Sequence, residues 1–214
     1  MTLPLIFAST YLIGIFYISN QLKFKNPETN RILLHILSAM AYLLIDYTIH
    51  DLWIALLIPS LMMAFHIFNN MSSQYPKLLS SSKSSRLGFI YLSLSMMIMM
   101  IFTFNDESLR MIPAVGMLTL GFGDGFASLI GIRYGKHSYH LFKSQKSLEG
   151  SLAMFVMSAL SVSIYLYISV GSIGIPCILM ISLLATFVEI ISPYGLDNLF
   201  IPILSALLYT LFFL

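Results

Sequence analysis

The sequence predicts an all-α integral membrane protein. Of its 214 residues, 58% are hydrophobic and only 9% are charged, and the mean hydropathy is +0.88. A soluble domain of this length is far less apolar, because its surface must be polar. Apolar runs also recur along the chain, and the length of each is close to the ~20 residues that a helix needs to cross the hydrocarbon of a bilayer.

The apolar runs predict a polytopic chain of about seven or eight transmembrane helices, and we expect these to form a single transmembrane domain over residues 1–214. They fall at about 3–20, 32–50, 52–68, 87–104, 111–132, 151–170, 173–191 and 198–214. The boundary between the second and third runs is the weakest, since only His50 and Asp51 interrupt it. The first run has no basic segment before it and no small-residue cleavage site, so we interpret it as a retained span.

The positions of the basic residues predict how the chain is oriented in the membrane. Ten of the eleven lie in the first–second, third–fourth and fifth–sixth connections: Lys23, Lys25, Arg31, Lys77, Lys83, Arg86, Arg133, Lys136, Lys143 and Lys146. Eight spans put these connections on one side, which the positive-inside rule makes cytoplasmic. The 192–198 connection then lies on the same side. A net charge of +2 is too small to indicate a nucleic-acid partner, and the single Cys177 excludes an intramolecular disulfide.

The region between Gly121 and Gly150 combines an acid, regularly spaced small residues and a basic loop. Asp124 lies in apolar sequence, where an acid costs about 2.5–3.5 kcal/mol at a helix centre and therefore pairs or does chemistry. Small residues recur every four positions from Gly123: Gly123, Ala127, Gly131 and Gly135. This spacing is typical of close helix packing in membranes, and it would hold Asp124 at a fixed place.

The end of this region is a candidate anion site. Ser147 is a predicted N-cap for the sixth helix, with Glu149 and Gly150 in its first turn. Free amides and the positive dipole end of a helix favour phosphate, and Lys143 and Lys146 add positive charge. The alternative for each lysine taken singly is ordinary positive-inside topology.

Four acids are candidate magnesium ligands. They fall at or near the expected cytoplasmic ends of the fifth to eighth spans: Asp124, Glu149, Glu189 and Asp197. Magnesium prefers oxygen ligands and is usually held by one or two carboxylates together with substrate phosphates. The sequence therefore predicts a Mg²⁺-dependent site for an anionic ligand at the membrane surface.

These residues carry a resemblance to a known family. The stretch DGFASLIGIRYG, a basic spacer and then KSLEGS resembles the signature of CTP-dependent lipid (polyprenol) kinases, which include dolichol kinase and phytol kinase. The resemblance extends to Glu28, Arg31 and His35 early in the chain, and to Val188–Glu189 and Asp197–Asn198 late in it. The sequence departs from the family pattern at Ile32, Ser38 and Gln145.

The resemblance implies transfer of the γ-phosphate of CTP to the hydroxyl of an isoprenoid alcohol of the dolichol, geranylgeraniol or phytol type. It implies that Asp124 and Glu149 bind magnesium and phosphate or activate the hydroxyl. The residues implied to bind the nucleotide phosphates are Gly131, Gly135, Lys136, Lys143, Lys146, Ser147 and Gly150. Arg31, His35 and Asn198 complete the implied site. The active site would face the cytoplasm, in the cell membrane or the endoplasmic reticulum.

Two other functions remain open from the sequence. A phosphatidate cytidylyltransferase-like enzyme also uses CTP and magnesium near acids, but it makes a CDP-lipid. An ion-coupled transporter would use intramembrane acids to bind its ion, although no inverted repeat is visible and the charges cluster on one side. The sequence leaves open the acceptor alcohol, the identity of the base, the number of spans and the oligomeric state.

Overall fold

The structure is a computed structural model that describes residues 27–71, 83–104, 106–141, 144–172 and 174–213. The described part is helical except for one short hairpin and the connecting turns, so the predicted all-α class is confirmed. The first predicted span, residues 3–20, lies outside the described residues.

Three helices form the first half of the described chain. They are α1 (Pro27–Thr48), α2 (Leu52–Met71) and α3 (Lys83–Thr103). The weak boundary between the second and third predicted spans is confirmed as a short break, because the carboxylate of Asp51 accepts a hydrogen bond from the Ile54 amide at 3.1 Å and begins α2.

The fifth predicted span is not one regular helix. A 3₁₀ turn (Glu107–Leu109) leads into three consecutive helical segments, which are α4 (Met111–Leu118), a π-helical segment (Thr119–Asp124) and α5 (Gly125–Tyr134). Gly121 and Gly123 lie in the π-helical segment, where an added Cβ would collide with Ala39 and with Met154. The wider turn and the missing side chains let this segment pack directly on its neighbours, and such π segments are frequent at functional sites.

The polar loop after α5 contains an antiparallel hairpin. Strand β1 (Ser138–Leu141) pairs with β2 (Ser144–Ser147), with Ser138 opposite Ser147 and Tyr139 opposite Lys146. The Leu148 amide then donates to the His137 carbonyl at 3.0 Å, which closes the base of the hairpin.

Three helices complete the chain: α6 (Leu148–Val170), α7 (Ile175–Ile191) and α8 (Asp197–Phe213). The predicted N-cap of α6 is confirmed, because Ser147 Oγ accepts from the Gly150 amide at 3.1 Å. Gly171 ends α6 in the left-handed conformation at φ 73°, which glycine adopts without a steric penalty.

The central helices are α6 and α8. Helix α6 packs on α5, α7 and the π-helical segment, whereas α8 packs on α4, α7 and α3. Helix α2 packs on α3 at one side of the bundle, and α1 lies against the π-helical segment and α5. The largest fully buried side chains are apolar or aromatic and include Tyr42, Met96, Met117, Leu120 and Met154.

The outer surface of the bundle is apolar. Within the described residues, two helices are long and apolar enough to cross a membrane, Glu107–Tyr134 and Leu148–Val170, and five shorter apolar helices accompany them. Large hydrophobic side chains are exposed on several helices, among them Trp53, Phe68, Ile168 and Phe187. Exposed apolar surface of this extent is typical of contact with lipid. The count of seven or eight spans stays a prediction.

Candidate active site

A tight turn brings two of the predicted acids together. Helix α7 ends at Ile191 and α8 begins at Asp197, so Glu189 and Asp197 flank the turn between them. The Leu196 amide donates to the Pro193 carbonyl at 3.1 Å, and Tyr194 has φ 56°, a left-handed conformation that is uncommon for a residue with a side chain. The chain therefore reverses within five residues and returns Asp197 towards Glu189.

Lys146, at the end of the hairpin, joins these two acids. Its ammonium donates to the Glu189 side chain at Oε1 and to the Glu189 main-chain carbonyl, both at 2.6 Å, and it lies 3.5 Å from Asp197 Oδ2. The three side chains are only 15%, 6% and 13% exposed, for Lys146, Glu189 and Asp197 respectively. This is a buried ion-pair network, not a set of solvated charges.

The electrostatics keep Lys146 charged. Burial alone would lower the pKa of Lys146, because an ammonium loses hydration away from water. The negative charges of Asp197, Glu189 and Asp124 act in the opposite sense, and together with the hydrogen bond to Glu189 they raise this pKa above its ordinary value. Lys146 therefore carries a positive charge throughout the physiological pH range.

Asp124 belongs to the same cluster. It ends the π-helical segment and acts electrostatically on both Lys146 and Glu189. Two of the four predicted acids, Glu189 and Asp197, thus contact the Lys146 ammonium, and the charge of a third, Asp124, acts on it from the π-helical segment.

Glu149 is held differently. Its carboxylate accepts a hydrogen bond from the His137 ring at 2.7 Å and from the His137 amide at 3.3 Å. The two side chains are 27% and 73% exposed, for Glu149 and His137. This pair joins the residue before β1 to the first turn of α6, and Glu149 is more exposed than Glu189 and Asp197.

The predicted small-residue phosphate site is also a tight packing contact. A Cβ on Gly131 would lie 3.1 Å from Ser147 Oγ, and one on Gly150 would lie 3.4 Å from the Gly131 Cα. A Cβ on Gly135 would lie 2.8 Å from Ser147 Oγ. The start of α6 therefore fits into α5 at these glycines, as the four-residue spacing predicts. Phosphate binding by these residues stays a prediction.

The other predicted site residues have mixed positions. Lys136 is exposed just before the hairpin. Asn198 is buried beside Gly88 at the start of α8, and its Oδ1 has no hydrogen-bond partner among the described residues. Lys143 lies outside the described residues, and so do the side chains of Arg31 and His35, although both positions belong to α1.

Three residues of the site were not predicted from the sequence. His137 holds Glu149, while Tyr139 and Ser151 form a hydrogen bond of 2.7 Å next to Glu189. The polar segment between α5 and α6, with Tyr139, His137 and His140, looks like ordinary loop sequence. The signal that could have found Tyr139 is its position opposite Lys146, which requires recognition of the hairpin first.

The donor atoms fit magnesium only with help from a ligand. Carboxylate oxygens are the donors that Mg²⁺ prefers, and Asp124, Glu189 and Asp197 provide them. In the described part of the chain, however, no three acidic, histidine or cysteine side chains form a group that could hold a metal ion. The arrangement fits a cation carried by one or two carboxylates and the phosphates of a substrate, not a cage made by the protein alone.

Comparisons with known proteins support the resemblance to lipid kinases. The chain is 28% identical over 206 residues to a phytol kinase of Synechocystis sp., and the match covers 94% of this chain and 88% of that protein. It is 36% identical over 100 residues to a dolichol kinase of Schizosaccharomyces pombe, covering 44% of this chain and 18% of the kinase. The chain resembles the lipid kinases.

A third relative extends the comparison without adding a function. The chain is 33% identical over 121 residues to an uncharacterised protein of Methanocaldococcus jannaschii, and the match covers 56% of each chain. No family model matches the chain, and no solved structure matches it. The two lipid kinases among the relatives support a lipid kinase function and hence phosphotransfer chemistry.

Proposed function

We propose that this chain is a polytopic, CTP-dependent kinase that phosphorylates the hydroxyl of an isoprenoid alcohol at the cytoplasmic face of a membrane. The observation that carries the proposal is the charged, buried Lys146 ammonium, which contacts Glu189 and Asp197 and is also acted on by the charge of Asp124. Phosphoryl transfer depends mainly on positioning and on neutralisation of charge. The acids outnumber the ammonium, so the cluster favours a divalent cation, which would supply that neutralisation together with the lysines. The similarity to lipid kinases supports the choice of reaction.

The nucleotide would bind at the hairpin and the start of α6. Lys146, Lys136 and Lys143 would contact its phosphates, with help from the amides at the N-terminus of α6 beside Ser147. Magnesium, when bound together with CTP, would neutralise charge on the transferred phosphoryl group. Its protein ligands would come from Asp124, Glu189 and Asp197, and from Glu149 near the accessible side.

The acceptor would come from the bilayer. The apolar outer surface and the two long apolar helices support a membrane protein with several spans. The concentration of basic residues in three connections supports a cytoplasmic site. An isoprenoid alcohol keeps its chain in the hydrocarbon and its hydroxyl at the interface, which is the level expected for the acid cluster.

The reaction follows from these positions. The alcohol oxygen forms a bond to the γ-phosphorus, the bond from that phosphorus to the β–γ bridging oxygen breaks, and CDP leaves. The hydroxyl proton passes to a carboxylate, and Asp124 and Glu149 are the two candidates. The lysines would orient the phosphates and offset their charge as the leaving group departs.

The position of a radioactive label tests the proposal. Purified protein in lipid nanodiscs is given Mg²⁺, a panel of lipid alcohols (dolichol, geranylgeraniol, phytol and diacylglycerol) and CTP labelled at either the α- or the γ-phosphate. We expect γ label in the lipid with an isoprenoid alcohol, and no reaction after chelation with EDTA. The matched variant Asp124→Asn, of the same size without the charge, should lose about 100-fold or more of the rate.

Two results would contradict the proposal. Incorporation of α label into lipid would indicate a cytidylyltransferase, because that enzyme attacks the α-phosphorus and releases the γ-phosphate in pyrophosphate. Full activity of the Asp124→Asn variant would remove Asp124 from the chemistry, even if the γ label entered the lipid.

A further inference from the structure

Glu189 is held at both of its carboxylate oxygens, and two residues outside the predicted site hold the second one. Lys146 donates to Oε1 at 2.6 Å, and Ser151 Oγ lies 3.4 Å from Oε2. Tyr139 Oη lies 2.7 Å from the same Ser151 oxygen. A continuous chain of polar contacts therefore runs from Tyr139 through Ser151 and Glu189 to Lys146.

The direction of the hydrogen bonds in this chain is determined by chemistry. An ionised carboxylate only accepts hydrogen bonds, so the Ser151 hydroxyl donates to Glu189. A serine hydroxyl has a single proton, so its oxygen must accept from Tyr139, whose phenol is the donor. Each residue thus orients the next, and removal of Ser151 disconnects Tyr139 from Glu189.

The hairpin explains why Tyr139 and Lys146, the two ends of this series of hydrogen bonds, both act on Glu189. Tyr139 and Lys146 are directly opposite each other in the β1–β2 pair, so their side chains leave the same face of the hairpin. That face lies against α6, which provides Ser151, and against Glu189 of α7. The hairpin therefore holds Glu189 with an ammonium on one oxygen and with a hydroxyl relay on the other.

We propose that Tyr139 and Ser151 are positioning residues that fix Glu189, so that Glu189 in turn fixes the Lys146 ammonium for the phosphates of the nucleotide. The proposal rests on the proposed function, in which Lys146 binds phosphate. The two residues act through Glu189 and touch no reacting atom. With Glu189 held on both sides, the ammonium is pre-oriented before the nucleotide binds, which lowers the ordering cost of binding.

The kinetic test uses the variants Ser151→Ala, Ser151→Thr and Tyr139→Phe in the γ-label assay. We expect Ser151→Ala to raise the KM for CTP about five- to tenfold with kcat changed less than about threefold, because a ground-state contact is lost. Ser151→Thr keeps the hydroxyl and should restore KM to within about twofold of the parent. Tyr139→Phe should raise KM about two- to threefold alone and should add nothing in the Ser151→Ala background, as expected for one connected chain.

Tyr134→Phe is the matched control for Tyr139→Phe. Tyr134 is an exposed tyrosine at the C-terminal end of α5, outside the contacts to Glu189. The Tyr134→Phe substitution removes a phenol hydroxyl and should leave the KM for CTP and kcat unchanged.

A second measurement needs no catalysis. Amine-reactive labelling of the substrate-free protein, followed by mass spectrometry, reports how accessible and mobile each lysine is. Ser151→Ala should increase the labelling rate of Lys146 about threefold or more, while the labelling rate of the exposed Lys136 stays constant. In Ser151→Thr the labelling rate of Lys146 should return to that of the parent. If the parent protein transfers no phosphate, the proposed function fails, and the labelling result alone then decides the positioning role.

The proposal is overturned by either of two results. One is Ser151→Ala with parental KM and parental labelling of Lys146. The other is a lowered melting temperature with kcat and KM both unchanged, since that combination indicates packing of the hairpin and no effect on the ammonium.

Discussion

The β1–β2 hairpin forms an inner and an outer ion pair with glutamates of the helices, and the two pairs differ mainly in burial. Lys146 and Glu189 form the inner pair, at 2.6 Å, with side chains that are only 15% and 6% exposed. His137 and Glu149 form the outer pair, at 2.7 Å, with side chains that are 73% and 27% exposed. The distances are almost equal, so distance alone does not distinguish their roles.

Burial determines what each pair can do. The inner Glu189 has both oxygens engaged by Lys146 and Ser151, so it is suited to hold the site in shape. The outer Glu149 is half-buried in the first turn of α6 and is the more accessible of these two carboxylates. The inner pair should therefore contribute most to stability, and the outer carboxylate should contribute most to chemistry.

Removal of the inner ammonium should have the largest effect. Lys146→Met removes the positive charge that offsets the buried Glu189 and Asp197 carboxylates, which should cost about 3–5 kcal/mol of unfolding free energy. It should also abolish phosphate transfer. The measurement is thermal unfolding in detergent alongside the γ-label assay, with exposed Lys136→Met as the control for stability.

A double variant keeps this prediction testable if Lys146→Met does not fold. Adding Glu189→Gln to Lys146→Met removes one of the two negative charges that Lys146 had offset. The double variant should therefore recover part of the lost stability without recovery of activity. Equal melting temperatures for Lys146→Met and Lys136→Met would show that the inner pair contributes no more than an exposed lysine.

The outer carboxylate should show the reverse pattern. Glu149→Gln keeps the size of the side chain and should reduce the rate about 100-fold or more, because a charge next to the substrate is lost. The melting temperature should stay within about 2 °C of the parent, since exposed pairs contribute little to stability. A large loss of stability with a normal rate would reverse the roles of the two pairs.

Much of this arrangement could be predicted from the sequence. The apolar runs locate the helices, and the break near Asp51 and the cap at Ser147 follow from local chemistry that a single sequence carries. The resemblance to lipid kinases singles out Asp124, Glu189 and Asp197, which the structure gathers around Lys146.

The rest depends on contacts between distant segments. Glu149 and Glu189 look alike as acids beside apolar runs, and only the fold shows that one is outside and the other inside. The π-helical segment that ends at Asp124 has no sequence signature beyond its glycines, and these read equally well as packing residues. Tyr139 and Ser151 gain their roles from the register of a four-residue strand pair, which hydrophobic periodicity does not specify.

The smallest effect is expected for the substitution His137→Gln. Its size distinguishes two possible roles of Glu149, the hydrogen-bond partner of His137. If Glu149 acts directly on substrate, His137 only helps to orient it, so His137→Gln should change the rate less than about fivefold and the melting temperature by no more than about 2 °C. Glutamine retains a donor, and the His137 amide still donates to the Glu149 carboxylate. If instead the pair works as a unit, His137→Gln and Glu149→Gln should reduce the rate equally, and the double variant should be no slower than either one. Rate measurements on these three variants therefore decide whether the accessible carboxylate acts alone, and an equal loss in all three would contradict the assignment of Glu149 to the substrate.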